Sequence, residues 1–374
     1  MIIGVLKEAH PETRVALLPE HISFFKKLNI EVQVEQGAGI SAFADDAAYQ
    51  AAGAAVCSRT ELLQSSDLLL CIHPISMTDA DQMQGKVLLG QLQALFQASY
   101  IQELAKRNIT VFSMEMLPRT TRAQSMDVLS SQANIAGYKA VLLAANLYSR
   151  YFPMFMTAAG SIPPVKILIL GAGVAGLQAI ATARRLGAVV EVFDTRQAVK
   201  EEVMSLGAKF VEVEGAKDSA AAGGYAVEQT EEFLQKQKAR IAESVSKSDI
   251  IITTAQIPGK KAPVLITKEM IETMRNGSVI IDLAASTGGN TDLTQNDSTV
   301  MHQGVAIVGN SALPSTMPSD ASKLYGKNLI NFLQLMISKE GLLNINMDDD
   351  LVKGTCVATA GNITNERIAA ALKN

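Results

Sequence analysis

Apolar and polar positions fall in blocks along this chain. Short apolar runs at residues 2–6, 31–35, 68–72, 86–89 and 110–112 are separated by stretches of helical periodicity. Runs of that length read as strands, and strands alternating with helices predict a mainly parallel sheet. Residues 127–151 form a long Ala- and Leu-rich stretch without proline, which predicts a connecting helix; the segment after it, from Thr157 through Gly160 to Pro163 and Pro164, must turn. A second series of runs follows at 166–170, 189–193, 210–213, 250–253, 279–283 and 305–308, the pattern of a second doubly wound sheet. After Pro314 and Pro318 come a helical pattern at 323–339 and a polar tail that returns to a helix near 364–372, expected to pack on the first domain. The predicted fold class is α/β, with two Rossmann-like doubly wound parallel-sheet domains joined by long helices. The first is expected to comprise residues 1–127 plus 313–374 and the second residues 128–312. Between Lys217 and Tyr225 small residues replace any periodicity, marking a weakly packed loop and a candidate mobile lid.

Composition narrows the function classes. A chain of 374 residues with 48% hydrophobic and 19% charged side chains can bury a large core. The net charge of −4 and scattered Lys and Arg give no electrostatic footprint for nucleic acid. Cys57, Cys71 and Cys356 fit neither a disulfide framework nor a metal knuckle, so a cytoplasmic location is the default. Charge arrives at Lys7 and Glu8, too early for a secretory leader, and no apolar run has the roughly 18 residues that a membrane span needs. His10, His21, His73 and His302 lack zinc spacing, Asp348 to Asp350 lack the spacing of a calcium loop, and no ATP-type phosphate loop occurs; no metal is expected.

The strongest local signal is Gly171-Ala172-Gly173-Val174-Ala175-Gly176, which follows an apolar strand and opens a helix. In that context Gly171 serves a tight turn, Gly173 lets the backbone approach a pyrophosphate, and Gly176 lets helix and strand pack closely, while Val174 and Ala175 open the helix whose amides face the anion. Asp194, at the end of the next strand, is placed to receive adenosine ribose hydroxyls, which favours NAD(H) over NADP(H). Thr195 belongs to the same turn. Arg196 is the dissenting residue, since it could take a 2′-phosphate. Residues 282–290 follow another strand at the sheet's carboxyl edge and are expected to line the site.

The run from Pro118 to Gln132 is crowded with hydrogen-bonding groups just before the long helix. Arg119, Gln124, Asp127 and Ser130 could fix a carboxamide and a ribose, or Ser125 or Asp127 could merely cap the helix; residue types alone leave both roles open. The run Arg119-x-x-Arg122-Ala123-Gln124-Ser125-Met126-Asp127 occurs here together with Met156-Thr157-Ala158-Ala159-Gly160, Pro163-Pro164 and the glycine motif. In this combination the chain resembles the NAD(H)-binding component of proton-translocating nicotinamide nucleotide transhydrogenase, over essentially its whole length from Arg14-Val15-Ala16 onward. The resemblance implies that Arg119, Gln124, Asp127 and Ser130 hold the nicotinamide end, with Arg122, Ser125 and Met126 in the same run, and that Gly224 and Tyr225 of the lid close over the nucleotide. It further implies hydride exchange with NADP(H) on a partner component, a membrane-spanning proton-channel subunit, and a homodimer exchanging the turn at residues 154–164. The expected location is cytoplasmic, peripheral on the inner face of the bacterial inner membrane through those partners.

Alanine dehydrogenase is the rival by resemblance, sharing the Arg14-containing start. That family uses a Lys and a His, whose positions fall here at Cys71 and Gln93, and neither replacement supplies a cation or an acid-base group. A non-catalytic NAD-binding sensor is the third possibility.

Overall fold

The structure is a computed structural model describing residues 1–213 and 230–372. The proposed lid, with Gly224 and Tyr225, lies outside the described residues. The chain divides into two compact units, Met1–Gln132 with Pro314–Asn374, and Ala133–Leu313. The border therefore falls within the long helix Val128–Leu147.

In the first unit β1 (Ile2–Val5), β2 (Glu31–Glu35), β3 (Ala55–Cys57), β4 (Leu68–Leu70), β5 (Val87–Gly90) and β6 (Thr110–Ser113) are joined late in the chain by β16 (Cys356–Thr359) and β17 (Asn362–Ile363). Among the described residues the order is β17-β16-β6-β5-β4-β1-β2-β3, parallel from β6 to β3, with β16 antiparallel to β6. Leu68 to Leu70 and Val87 to Gly90 are buried on both faces, the reason these strands read as unbroken apolar runs. One face packs on Phe25, Tyr325 and Phe332, the other on Leu62, Ile101 and Leu104.

In the second unit β9 (Lys166–Leu170), β10 (Val189–Phe193), β11 (Lys209–Phe210), β12 (Ile250–Thr253), β13 (Val279–Asp282), β14 (Ser298–His302) and β15 (Val305–Gly309) form a sheet of order β11-β10-β9-β12-β13-β15-β14. Its pairs are parallel except the edge strand β14. Before it the expected turn is a small hairpin, β7 (Phe155–Thr157) and β8 (Gly160–Ile162), exposed throughout.

The α/β class with two doubly wound sheets holds, and four details differ from the sequence pattern. Strand β3 is a half-exposed three-residue edge within the short run Ala54–Cys57, outside the predicted strands, and β14 is a largely exposed edge strand also outside them. The tail includes β16, where Cys356, Val357 and Ala358 are fully buried. The helix expected at 323–339 is Pro318–Leu333, because Pro318 sits in its first turn, where the missing N–H costs nothing and the fixed φ suits the helix.

Strand order reverses between β9 and β12 in the second unit and between β1 and β4 in the first. Ligand crevices of open α/β sheets lie outside the carboxyl ends of the strands at such points. These two edges carry Gly171 with Thr254, and Glu8 with Cys71 and His73.

Candidate nucleotide site

Four of the five residues of β9 are buried, so its end is fixed where it delivers Gly171. Gly171 has φ +104°, in the left-handed region, and a Cβ there would lie 2.4 Å from Thr254 Oγ1. A Cβ on Gly176 would lie 1.9 Å from the Gly171 carbonyl oxygen, so helix and strand can meet only with glycine there. A Cβ on Gly173 would meet nothing within 4 Å. Two glycines are thus demanded by packing, and the third leaves open space. Helix Val174–Arg185 begins at Gly173 with no side-chain cap, and the exposed Val174 and half-buried Ala175 lie in its first turn. An uncapped helix start beside open space fits a diphosphate, whose oxygens would take the first-turn amides. The loop is backed by Gly137 of the long helix, where a Cβ would stand 2.1 Å from the Ala175 carbonyl oxygen, a close approach that sequence reasoning missed.

Asp194 follows β10 and is largely buried. Its Oδ2 accepts from Ala172 N–H at 2.7 Å and from Arg196 Nη2 at 2.8 Å; its Oδ1 accepts from the backbone N–H and Nε of Arg196, both at 2.9 Å. Asp194 therefore ties the glycine-rich loop to the β10 turn, and Arg196 is committed to it in a fork, the hydrogen bond to Asp194 raising the guanidinium pKa further. Thr195, half-buried, stands between them. The crevice is completed by a stretch not foreseen, the half-buried Thr254 and Ala255 and the exposed Gln256 after β12. Thr254 Oγ1 reaches the carbonyls of Leu170 at 3.3 Å and Gly171 at 3.2 Å. A polar residue just past a buried strand at the switch point was the available signal.

Within residues 282–290 the structure corrects the expectation of a lining segment. Asp282 and Asn290 are fully buried, with Asn290 bonded to Ala255 N, Ala255 O and Pro263 O and Asp282 accepting from Ala284 N, Asn290 N and Thr294 Oγ1. They staple the loops from inside, and Ser286 and Gly288 are what the segment exposes.

In the first unit, the polar run folds as a 3-10 turn over Thr121–Met126 followed by the long helix. Asp127 caps that helix: Oδ1 accepts from Ser130 N–H at 2.9 Å and Oδ2 from Ser130 Oγ at 2.6 Å. The capping role is real, and it also orients Ser130: its hydroxyl proton is given to Asp127, so toward a ligand Ser130 Oγ can only accept. Arg119, Gln124 and Ser125 are exposed, and Asp127 and Ser130 are half-buried. Met126 is buried in the first unit's core, and Arg122 is ion-paired with Asp349 and with Asp350, so both also hold the turn in place.

At the first unit's switch point the polar groups satisfy one another. Glu12 forms a salt bridge with Arg14 at 2.6 Å and bonds His73 Nε2 at 2.7 Å, while Arg14 Nη1 donates to Gln132 Oε1 at 2.8 Å. Burial would raise the Glu12 carboxyl, but the bonds from Arg14 and His73 outweigh it and hold the group well below the usual carboxylate range. Cys71 is buried, and burial pushes its thiol well above the ordinary value, so it stays neutral. Gln93 is exposed in the left-handed region at φ 54°. Among the described residues no group of His, Cys, Asp and Glu could hold a metal, and no helix is long and apolar enough to cross a membrane.

Two doubly wound units, a glycine-rich loop at a switch point and an acidic residue closing the next strand fit a pyridine-nucleotide-binding oxidoreductase of the NAD(P) type. Residues 4–136 match the N-terminal domain described as alanine dehydrogenase/PNT, and residues 140–366 match its C-terminal domain. The chain belongs to the alanine dehydrogenase/PNT family. It is 48% identical over 376 residues to the first portion of the NAD(P) transhydrogenase alpha subunit of Rhodospirillum rubrum, with 98% of each chain covered. A solved transhydrogenase from Sinorhizobium meliloti superposes with a TM-score of 0.89 at 44% identity, covering 97% of this chain and 100% of that one. An L-alanine dehydrogenase shares the fold at a TM-score of 0.82 and 24% identity, covering 100% and 99%. The resemblance to the transhydrogenase component holds, and the chain is an oxidoreductase component.

Proposed function

We propose that this chain binds NAD(H) and exchanges hydride with NADP(H) held on a partner transhydrogenase component, coupled to proton movement through a membrane-spanning subunit. The observation that carries the proposal is a contrast within the chain. A complete phosphate loop and polar run coexist with a first-unit edge where the alanine dehydrogenase Lys and His positions hold a neutral buried thiol, Cys71, and a glutamine, Gln93. Hydride passing between two carbons requires no proton at oxygen or nitrogen, so an edge that lacks that Lys and that His suits it. Reductive amination requires both.

Bound NADH supplies the hydride. The chain's residues position it: the first-turn amides from Val174 to Gly176 hold the diphosphate, the Asp194 turn faces the adenosine ribose, and Arg119, Gln124, Asp127 and Ser130 orient the nicotinamide end. Ser130 accepts, and Gln124 can donate and accept, which matches a carboxamide or ribose hydroxyl. NAD(H) is favoured because a 2′-phosphate would meet the Asp194 carboxylate and would have to take Arg196 from it. Positioning of this kind contributes several kcal/mol, about 7–11 kcal/mol in the best intramolecular cases.

The exposed hairpin supports a homodimer. It presents Met154, Phe155, Met156 and Ile162, an apolar surface that a second copy would cover. The chain then sits at the cytoplasmic face of the membrane through its partners. Chromatographic separation of the NAD⁺ and NADPH formed from NADH and NADP⁺ with an NADP-binding transhydrogenase component tests the function, with pyruvate and ammonium as the parallel arm. Turnover in the second arm would mean an amino-acid dehydrogenase; binding without turnover in either would mean a sensor. Sedimentation showing a monomer at working concentration would reject the dimer.

A further inference from the structure

We infer that Asn328 is a positioning residue for the nicotinamide-end run, acting through Asp127 and Ser130. The inference rests on the function proposed above. Asn328 lies on helix Pro318–Leu333, outside the glycine motif and the polar run, and is 8% exposed. Its Nδ2 donates to the Ser125 carbonyl at 2.8 Å, and its Oδ1 accepts from Ser131 Oγ at 2.7 Å. Asn331, one turn along the same helix, donates to the same Ser125 carbonyl at 2.9 Å.

The two ends of one buried amide therefore bracket residues 125–131. Ser125 lies in the 3-10 turn and Ser131 in the first turn of the long helix; between them are Asp127 and Ser130, the groups whose mutual hydrogen bonds set what a ligand meets. Because both the donor and the acceptor of the amide are used, only one orientation satisfies the junction. Next in line, Gln132 Nε2 donates to the Ala321 carbonyl of the Asn328 helix at 3.1 Å and takes Arg14 on its oxygen, so the junction is held on the same helix a second time. The consequence of this arrangement is rigidity of the segment proposed to orient the nicotinamide end.

Asn328→Asp is the sharp perturbation. It keeps an acceptor for Ser131 and turns the donor facing the Ser125 carbonyl into an oxygen, at nearly constant volume. The neighbouring exposed Lys327→Ala is the control, and Asn331→Ala, at a half-buried position, is a milder second variant that leaves the buried amide intact. In the nucleotide-free chain, hydrogen exchange at the Ser130 amide should rise about tenfold in Asn328→Asp, as the Asp127 cap loosens. NADH affinity, read by titration, should fall no more than about threefold, while single-turnover hydride transfer to the NADP-binding component falls at least about tenfold. Asn331→Ala should show the same split at about two- to threefold with unchanged melting temperature. Unchanged exchange and transfer in Asn328→Asp, or losses of binding and transfer in equal measure, would overturn the inference. If Asn328→Asp fails to fold, Asn331→Ala decides by the same criteria. A wild-type chain that transfers no hydride contradicts the proposed function instead, and the exchange arm then decides the role of Asn328 by itself.

Discussion

Alanine at Gly173 should separate ligand binding from folding, whereas alanine at Gly176 should damage both. A Cβ at Gly173 meets nothing within 4 Å, and the backbone there, at φ −78° and ψ −170°, is open to any residue. Folding should therefore lose nothing. Narrowing the unfolded ensemble adds about 0.4–1 kcal/mol, a melting temperature unchanged or raised by about 1–3 °C. The same methyl projects into the space beside the uncapped helix start. If the diphosphate lies there, it loses at least one charge-assisted contact, about 1.5–3 kcal/mol, or roughly ten- to hundredfold in NADH affinity. At Gly176 the Gly171 carbonyl, 1.9 Å from the new Cβ, would have to retreat by about 1 Å, and overpacking of that kind costs about 1–3 kcal/mol or more. Thermal melting and fluorescence titration with NADH read both quantities on the same samples. Wild-type affinity in Gly173→Ala would refute the loop as the diphosphate cradle. A melting loss in Gly173→Ala equal to that of Gly176→Ala would show that the space is not open.

Asp127→Asn and Arg119→Ala should each slow hydride transfer far more than they weaken NADH binding, since a misplaced ring harms the transition state selectively; equal losses in the two measurements reject the role. Asp127→Ala should in addition lower stability by about 0.5–2 kcal/mol through loss of the cap on Ser130, measured by denaturant titration. Glu12, whose pKa is held below its usual 4.5, contributes stability that is fully present above that pH and is lost as the pH falls toward the depressed value. Melting curves between about pH 3 and 7 should thus fall on acidification in the wild type and be flatter in Glu12→Gln, which at neutral pH is weaker by about 3–5 kcal/mol for leaving Arg14 buried without its partner. Parallel curves would contradict that linkage.

The glycine motif was legible in the sequence because two packing demands and an uncapped helix start coincide in six residues, and strands such as Leu68–Leu70 and Ile250–Ile252 because burial on both faces leaves no polar positions. What escaped was set by partners distant in the chain. Among the described residues the edge strand β14 has one neighbour and a largely exposed face, and β16 joins the sheet through its pairing with β6, more than two hundred residues earlier. The capping and binding roles of Asp127 were indistinguishable from residue types, and the structure shows that capping fixes the hydroxyl on which binding would depend. Gly137 and Asn328 carried no local signal at all: one is a small residue in an Ala-rich helix, the other a polar residue on the inner side of a helix, and each gains meaning only from the backbone it meets.

The most direct test of the central claim follows the hydride itself. NADH carrying deuterium at the transferable position of C4 is mixed with the purified chain, NADP⁺ and an NADP-binding transhydrogenase component, and the products are examined by mass spectrometry. The account predicts deuterium in NADPH, none released to water, and no label in alanine when pyruvate and ammonium replace the NADP⁺ and the partner. Label in alanine, loss of label to solvent, or unlabelled NADPH would contradict direct transfer from a nucleotide held by this chain.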